Sequence, residues 1–452
     1  MNNIEFLELL TDNLSTYLYI LFAISTIYLL ILRKYINGLA DPMLLCCIAA
    51  IFSSTIPVFL YAIGLCKIKM LLYCIFSEVA FWIGFILNYD KQAKFKNYTI
   101  KNEERVSFHL YIIFFILFTS LKLISFKYLG IPLLMGNRLE ATANAGGLAI
   151  LNKIANPLQF YCNVYSYHIF RRKKVLSVTC LIAIFLFSFL NGSKSFILTF
   201  IFAYFTYSFF YKRTIPIIPK KVLVLIFLTP MITLLASGFS DNLMVSIGDY
   251  LFRLVAYGDI YWYSIPNNVI EHISIDSSFK HLFSGILGPL RIMNYDDNAI
   301  PLGVKLYWYT MPIEAYGTNG GPNARPVILG YWLYKYGGIV FCYICGLCMS
   351  WAMTKFKKLL PSGIIPTIFI GYLYMSTVTI ATDPVLAINN IFTVILFISI
   401  LFITYNLIYD RKIILARFKQ SNGTCTSNPL HFSIIIFMLI FITISITFYT
   451  LK

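Results

Sequence analysis

The chain has 452 residues, of which 59% are hydrophobic and only 12% are charged. A soluble domain carries about 25% charged residues, so this composition excludes the soluble globular classes and indicates a polytopic membrane protein. The formal charge of +17 does not indicate a nucleic-acid partner, because most of the 36 Lys and Arg residues are confined to a few short connections.

Apolar segments separated by short connections fill most of the chain. A helix needs about 20 apolar residues to cross a bilayer. We predict 11 or 12 transmembrane helices, at residues 15–32, 43–64, 70–88, 108–129, 154–170, 175–191, 195–211, 222–237, 327–354, 362–381, 385–409 and 432–450. The predicted fold class is an all-α polytopic integral membrane protein, in which residues 1–452 form a single membrane domain.

The basic residues alternate between successive connections. They cluster at Arg33-Lys34, Lys91 to Arg105, Arg171 to Lys174, Lys212 to Lys221, Lys355 to Lys358 and Arg411 to Lys419. The positive-inside rule places such clusters in the cytoplasm, and attraction to lipid headgroups is a secondary effect. The outer face is then left with a smaller loop at residues 130–153 and one large loop at residues 238–324.

The large outer loop is polar and rich in aromatic residues. We expect it to carry two short amphipathic helices. The first, from Asp241 to Tyr263, is expected to lie along the membrane surface and to end at Pro266. The second is expected from Asp276 to Leu287, and the Pro and Gly residues beyond it predict turns. Such a loop needs packing against the helices to become ordered, so we interpret it as a lid over a site.

Five cations expected on the outer side are the first candidates for a functional site. They are Arg138, Lys194, Arg253, Arg291 and Arg325. The guanidinium fork suits phosphate, so several of these side chains converging would bind a pyrophosphate. The alternative for each of these cations is a side chain that extends to the membrane–water interface or that contacts lipid phosphates without specificity. Lys194 also lies in a tight turn before a helix N-terminus, which favours anions, although a capped hairpin with a solvated lysine explains it too.

Acids and aromatic rings complete the candidate set. Asp259 and Glu140 are candidates for a general base. Tyr261, Tyr263 and Trp308 are expected to be exposed rings that stack on sugar faces, with the interfacial aromatic belt as the alternative. The spacing of His272 and His281 does not indicate a metal site, and no dinucleotide or P-loop motif occurs. We predict no cofactor and no metal.

Three local motifs resemble a known family. They are Asn191-Gly192-Ser193-Lys194-Ser195 opening a helix, Tyr250-Leu251-Phe252-Arg253 in the large loop, and Gly288-Pro289-Leu290-Arg291 followed by Gly321-Pro322-Asn323-Ala324-Arg325-Pro326 and by Gly330-Tyr331 and Gly337-Gly338. Together with the layout of helices, they resemble the Wzy-type polymerases of O-antigen and capsular polysaccharide repeat units. Members of that family more often carry arginine where this chain has Lys194, which lacks the bidentate fork.

The resemblance implies a metal-independent glycosyltransferase of lipopolysaccharide and polysaccharide biosynthesis in the bacterial inner membrane. The growing glycan would move from undecaprenyl pyrophosphate to the nonreducing end of an incoming lipid-linked unit at the periplasmic face. Arg253 and Arg291 would bind the pyrophosphate, with Arg138, Lys194 and Arg325 as supporting cations and Asn323 among the substrate-binding residues. The implied partners are the lipid-linked oligosaccharide, the phospholipid bilayer and a chain-length regulator.

Two rival functions fit the same general architecture. A flippase for lipid-linked oligosaccharides would be expected to carry charges through the core of its helix bundle and to have short loops on both faces. An O-antigen ligase, which attaches finished glycan to a lipid acceptor, is close to a polymerase in both architecture and substrate chemistry.

Overall fold

The computed structural model describes residues 1–90, 93–99, 102–134, 149–192, 196–219, 252–288, 290, 292–294, 296–311 and 320–408. The helices within these ranges are α1 (Asn3–Asp12), α2 (Leu14–Leu32), α3 (Pro42–Ala62), α4 (Ile68–Asn88), α5 (Glu103–Leu129), α6 (Ala149–Ile169), α7 (Lys174–Leu190), α8 (Phe196–Phe205), α9 (Asp259–Ser264), α10 (Val269–His272), α11 (Ser278–Leu287), α12 (Leu302–Thr310), α13 (Pro326–Tyr334), α14 (Gly338–Leu359), α15 (Ile364–Val378) and α16 (Pro384–Ile408). A π-helical stretch, Thr206–Tyr211, continues α8, and two short strands, β1 (Lys96–Thr99) and β2 (Pro361–Ser362), pair in parallel.

Local sequence signals set the ends of several helices. The carboxylate of Asp41 accepts the Met43 N–H at the start of α3, where Pro42 occupies the first helical position. The Ser277 hydroxyl accepts the Lys280 N–H at the start of α11. Gly130, with a φ of 80°, ends α5 in a conformation that glycine adopts without strain.

The chain is an all-α membrane protein. Seven of the described helical stretches are long and apolar enough to cross a membrane: Leu14–Tyr35, Pro42–Ala62, Ile68–Asn88, Glu103–Leu134, Pro326–Leu359, Ile364–Ala381 and Pro384–Leu401. Two shorter apolar stretches, Lys174–Leu190 and Phe196–Tyr211, accompany them. The spans predicted at residues 222–237 and 432–450 lie outside the described residues.

The described parts of several basic connections meet at one end of the helix bundle, which we call the basic end. There β1 pairs with β2, Lys358 forms an ion pair with Asp90, and Arg172 forms one with Glu104. The ammonium group of Lys357 lies over the rings of both Phe95 and Phe210 at 5.5 and 5.2 Å. These described basic residues therefore lie together in space, as the positive-inside rule predicts for their clusters. The other end, where α3 meets α4 and α15 meets α16, is called the opposite end.

The span predicted at 327–354 lies within the apolar stretch Pro326–Leu359, but that stretch is divided into two helices. Lys335 adopts a φ of 51°, and α13 ends there while α14 begins at Gly338. A methyl group on Gly330 would lie 3.2 Å from the Cα of Gly338, although eight residues of continuous helix span about 12 Å. The chain thus folds back on itself, and the N-terminus of α13 points into the bundle.

The first helix predicted in the large loop was expected to lie along the membrane surface, and this placement is wrong. Residues 252–268 are helical in short pieces, but they pack into the core instead of lying along the surface. The indole of Trp262 stacks on Phe6, with ring centroids 3.9 Å apart, and donates a hydrogen bond to the Asn3 side chain at 3.1 Å. Residues 241–251 of that prediction lie outside the described part of the chain.

Farther along the loop, one predicted element agrees with the structure and another does not. The second predicted helix corresponds to α11. Where Pro and Gly residues predicted only turns, residues Leu302–Thr310 form α12. Pro301 precedes that helix and Gly303 lies in its first turn, positions where neither residue interrupts the helical hydrogen bonds.

Helices α4 and α14 are in backbone contact through glycines. A methyl group on Gly346 would lie 1.9 Å from the carbonyl oxygen of Phe81, and one on Gly84 would lie 2.3 Å from that of Tyr343. We expect Gly346→Ala to force the two helices apart and to lower the free energy of unfolding by about 1–3 kcal/mol. Thermal unfolding of the detergent-solubilised protein measures this. Gly337→Ala is the control, because a methyl group there meets nothing closer than 3.6 Å; equal unfolding temperatures for both variants would contradict the prediction.

Candidate functional site

The structure describes seven of the eleven site residues predicted from the sequence. Arg138, Glu140, Lys194 and Arg291 lie outside the described residues. The other seven are Arg253, Asp259, Tyr261, Tyr263, Trp308, Asn323 and Arg325. Two of these, Asp259 and Arg325, come together against one helix.

Arg325 is buried deep in the bundle, with only 2% of its surface exposed. It is the residue before Pro326, which opens α13, and its Nη1 donates a hydrogen bond of 3.4 Å to the carbonyl oxygen of Ala49 in α3. The Nε–H has no acceptor in the described part of the structure. A charged group beside an apolar span is costly and marks a site of function by default.

Asp259 reaches the same helix from the large loop. It opens α9, and its neighbour Gly258 packs so closely on α3 that a methyl group there would lie 2.5 Å from the Ile56 side chain and 3.0 Å from the Ser53 Cα. Burial raises the pKa of Asp259 to about 8, while the Ile260 N–H and the positive charge of Arg325 act in the opposite direction. At neutral pH most of this carboxyl is therefore protonated.

The two groups approach one face of α3. Ala49, Ser53 and Ile56 follow the i, i+4, i+7 spacing of a single helical face. Asp259 and Arg325 are close enough for the cation to lower the pKa of the acid, but they are not one of the ion pairs found among the described residues. A proton acceptor and a fixed cation with an unused donor thus share a sheltered position, which is the combination that proton transfer beside a developing negative charge requires.

The chain just before Arg325 is fixed by a second acid. The carboxylate of Asp383 accepts the N–H of Ala324 and also the N–H of Leu386 in the first turn of α16, the latter at 3.0 Å. Burial raises the pKa of Asp383 to about 6, against these stabilising hydrogen bonds. Asn323, two residues before Arg325, is exposed. Asp383 is therefore a positioning residue for Arg325 that the sequence did not single out.

The aromatic residues of the loop do not form the exposed surface that the sequence predicted. Tyr261 and Tyr263 are 1% and 2% exposed, and they belong to the main hydrophobic core. Trp308 is half-buried. Tyr263 instead packs near the ring of Tyr307 in α12, with 6.1 Å between centroids. Their role in substrate binding stays a prediction.

Arg253 differs from Arg325 in its surroundings. It lies in the helical turn at residues 252–255 and is exposed, whereas Arg325 is buried. The depth of a cation cannot be deduced from its neighbours in the sequence, because the fold of the loop decides it. Arg253 stays a predicted phosphate ligand on the surface side of the site.

Sequence reasoning missed a row of polar residues on α6. Asn152, Asn156, Gln159 and Asn163 recur at helical spacing. The first two accept hydrogen bonds from α5, whereas Gln159 donates to Ser188 of α7 and Asn163 donates to the carbonyl oxygen of Thr199 in α8. Lys122 of α5 is 1% exposed and donates to the first two of them. The helical spacing of these four residues can be read from the sequence, but the apolar residues between them indicated only a transmembrane span.

Among the described residues, no group of three or more His, Cys, Asp or Glu side chains is arranged to hold a metal ion. Comparison with family models, with curated proteins and with solved structures finds no match to this chain. The geometry around α3 is therefore the main basis for assigning a function.

Proposed function

We propose that this protein polymerises undecaprenyl-pyrophosphate-linked oligosaccharide repeat units into O-antigen or capsular polysaccharide. The growing glycan is transferred to the nonreducing end of an incoming lipid-linked unit at the periplasmic face of the bacterial inner membrane. The observation that carries the proposal is the buried guanidinium of Arg325 beside Asp259 on one face of α3. The sequence motif around Arg325 supports the same assignment through the resemblance to Wzy-type polymerases.

The reaction breaks the bond between the anomeric carbon of the growing glycan and its pyrophosphate oxygen. A sugar hydroxyl of the incoming unit forms the new glycosidic bond, and its proton passes to the ionised carboxylate of Asp259. The departing undecaprenyl pyrophosphate gains negative charge, which Arg325 stabilises more in the transition state than in the ground state. Arg253, Arg291, Arg138 and Lys194 are proposed to supply further positive charge around the same diphosphate.

The distribution of charge supports the proposed orientation. The basic end carries the clusters that the positive-inside rule assigns to the cytoplasm. Asp383 and the connection before α13 lie at the end opposite to those clusters, so the site would lie on the periplasmic side in this orientation. A lipid-linked substrate would then reach the site laterally from the bilayer, with its glycan in the aqueous compartment.

A flippase is the second candidate, because one observation favours it. Lys122 and the polar row of α6 put charge and hydrogen-bonding groups inside the bundle, as a pathway for a glycan across the membrane would require. The proposed ligase reaction shares the chemistry of the polymerase and differs only in the acceptor.

Deletion of the gene, followed by gel analysis of the surface glycan, separates the polymerase from the other two functions. We expect the deletion strain to attach a single repeat unit to the lipid acceptor, because a unit can still be exported and ligated when polymerisation fails. Restoration of the long-chain ladder by the intact gene is the control. A strain that attaches no unit at all would contradict the polymerase and indicate a flippase or a ligase.

A further inference from the structure

Charged and aromatic side chains meet on the surface where α10 lies beside the turn between α13 and α14. The carboxylate of Glu271 forms an ion pair with the ammonium group of Lys335 and accepts a hydrogen bond of 2.6 Å from the Tyr331 hydroxyl. The rings of Tyr331 and Tyr336 meet edge to face, with centroids 5.9 Å apart. Side chains of the large loop and of the helix bundle are thus joined in one group.

Two tyrosine rings at the margins of this group are exposed. Tyr336 is 59% exposed and Tyr309 is 54% exposed in the described part of the structure. Tyr309 stacks in parallel on the imidazole of His272, the residue after Glu271, with centroids 6.0 Å apart. We call the whole group the Glu271 cluster; its members are Glu271, His272, Tyr309, Tyr331, Lys335 and Tyr336.

The ion pair of the Glu271 cluster decides which ligands suit it. Hydrogen bonds from Lys335 and Tyr331 lower the pKa of Glu271, so this acid is ionised at neutral pH and balances the charge of Lys335. A cation that is already paired attracts a phosphate weakly, and the carboxylate repels one. A carboxylate has about four acceptor positions, and the two donors leave the others open to hydroxyl groups. The cluster therefore suits a ligand that is rich in hydroxyl groups and carries no charge.

The exposed rings supply the apolar part of such a ligand site. The C–H bonds on one face of a pyranose ring carry a slight positive charge, and the face of an aromatic ring is negative, so the two pack together. Small-molecule sites commonly combine aromatic rings with a few fixed polar groups. We propose that the Glu271 cluster binds uncharged sugar residues of a glycan, which stack on Tyr309 and Tyr336 and donate hydrogen bonds to Glu271.

The Glu271 cluster is close to the transfer site but separate from it. Tyr331 follows Arg325 by six residues, which corresponds to about 9 Å along α13. The turn at Lys335 lies at the opposite end of the bundle, because α14 runs from there to Leu359 beside β2 at the basic end. A glycan with one end at Arg325 can therefore reach the cluster. The inference rests on the proposed function for a glycan as the ligand, and it adds a second contact that holds this glycan.

Binding of polysaccharide to the purified protein tests the cluster without any transfer reaction. The probe is the surface polysaccharide of the producing strain, released from its lipid by mild acid so that no diphosphate remains. We expect Tyr309→Ala, Tyr336→Ala and Glu271→Gln each to weaken binding about tenfold, because a stacked ring or a hydrogen bond to a charged group is lost. Tyr336→Phe keeps the ring and is expected to bind like the wild type.

Tyr128→Ala is the matched control. Tyr128 is 64% exposed and lies at the C-terminal end of α5, at the same end of the bundle, with the ammonium group of Lys127 over its ring at 5.6 Å. We expect no loss of binding in this variant. An equal loss in Tyr128→Ala and Tyr336→Ala would overturn the proposal and indicate only an interfacial aromatic belt. Wild-type affinity in the Tyr309→Ala/Tyr336→Ala double variant would overturn it as well.

A measurement on the wild-type protein covers the case of a variant that fails to fold. Bound polysaccharide should slow the nitration of Tyr336 by tetranitromethane and leave that of Tyr128 unchanged. Equal rates for Tyr336 with and without polysaccharide contradict the proposed contact.

Farnesyl diphosphate separates the cluster from the transfer site, because this probe carries a diphosphate and no sugar. Its affinity should be unchanged in Glu271→Gln, and a tenfold loss there would mean that the cluster binds the diphosphate instead. Polysaccharide binding does not depend on transfer, and the phenotype of the gene deletion does not depend on the cluster. The failure of this inference and the failure of the proposed function are therefore distinguishable.

Discussion

Replacement of Arg325 by methionine is expected to abolish long-chain glycan while the protein still folds and inserts. Loss of one electrostatic stabiliser of a departing anion costs about 10²–10³ in rate. The guanidinium is buried against the Ala49 carbonyl and has no described anionic partner within ion-pair distance, so its removal relieves a desolvation cost. We therefore expect an unfolding temperature no lower than that of the wild type. The measurements are the glycan ladder in a complemented deletion strain and thermal unfolding of the purified protein.

Two further variants make the Arg325 prediction sharper. Arg325→Lys keeps the charge but loses the planar fork, so we expect an intermediate ladder of shorter chains. Lys280→Met removes an exposed cation of α11 and is expected to leave the ladder unchanged. A full-length ladder from Arg325→Met would contradict the assignment of Arg325 to the leaving diphosphate.

Asp259→Asn is expected to abolish transfer and, at the same time, to stabilise the fold. Asparagine has the shape of the protonated acid but accepts no proton from the attacking hydroxyl, and loss of a general base costs about 10²–10⁴ in rate. The folded state raises the pKa of Asp259 from 3.8 to about 8, so folding favours the protonated carboxyl. Ionisation of Asp259 therefore destabilises the folded state. This destabilisation is absent below pH 3.8 and reaches its full size above a pH of about 8.

The pH dependence of the unfolding temperature and of the transfer rate tests this prediction. At pH 8 to 9 the Asn variant should unfold at a higher temperature than the wild type, and the difference should shrink as the pH falls toward 4. The wild-type transfer rate should rise with pH and level off above about 8, because the base must be ionised to act. In Arg325→Lys, which keeps a cation near the acid, this midpoint should move little. A wild-type rate that is flat between pH 6 and pH 9 would exclude Asp259 as the base.

The sequence and the structure favour different arginines as the principal cation. The sequence motifs gave Arg253 and Arg291 the leading role and Arg325 a supporting one. In the structure Arg325 is buried next to an acid, whereas Arg253 is exposed and Arg291 lies outside the described residues. Water screens an exposed cation strongly, so its effect on a developing charge is smaller than that of a buried one. The Arg325→Met and Arg325→Lys variants test this reassignment directly.

The sequence alone determined the class of the protein and most of its helices. The runs of apolar residues specify spans because an unsatisfied backbone in a bilayer leaves few alternatives to a helix. The helix bounds at Pro42–Ala62 and Ile68–Asn88 agree with the predicted segments within two residues at each end. The basic clusters likewise predicted which connections lie together, since charge is sorted by the membrane and not by distant contacts.

Only the tertiary structure decided which residues come together in the candidate site. Asp259 and Arg325 are 66 positions apart in the chain, and they meet because Gly258 packs on α3 and because the turn at Lys335 directs the start of α13 into the bundle. The burial of Lys122 against Asn152 depends in the same way on how α5 and α6 pack. Burial and proximity arise from contacts between distant segments, and local residue patterns carry no information about which segments will touch.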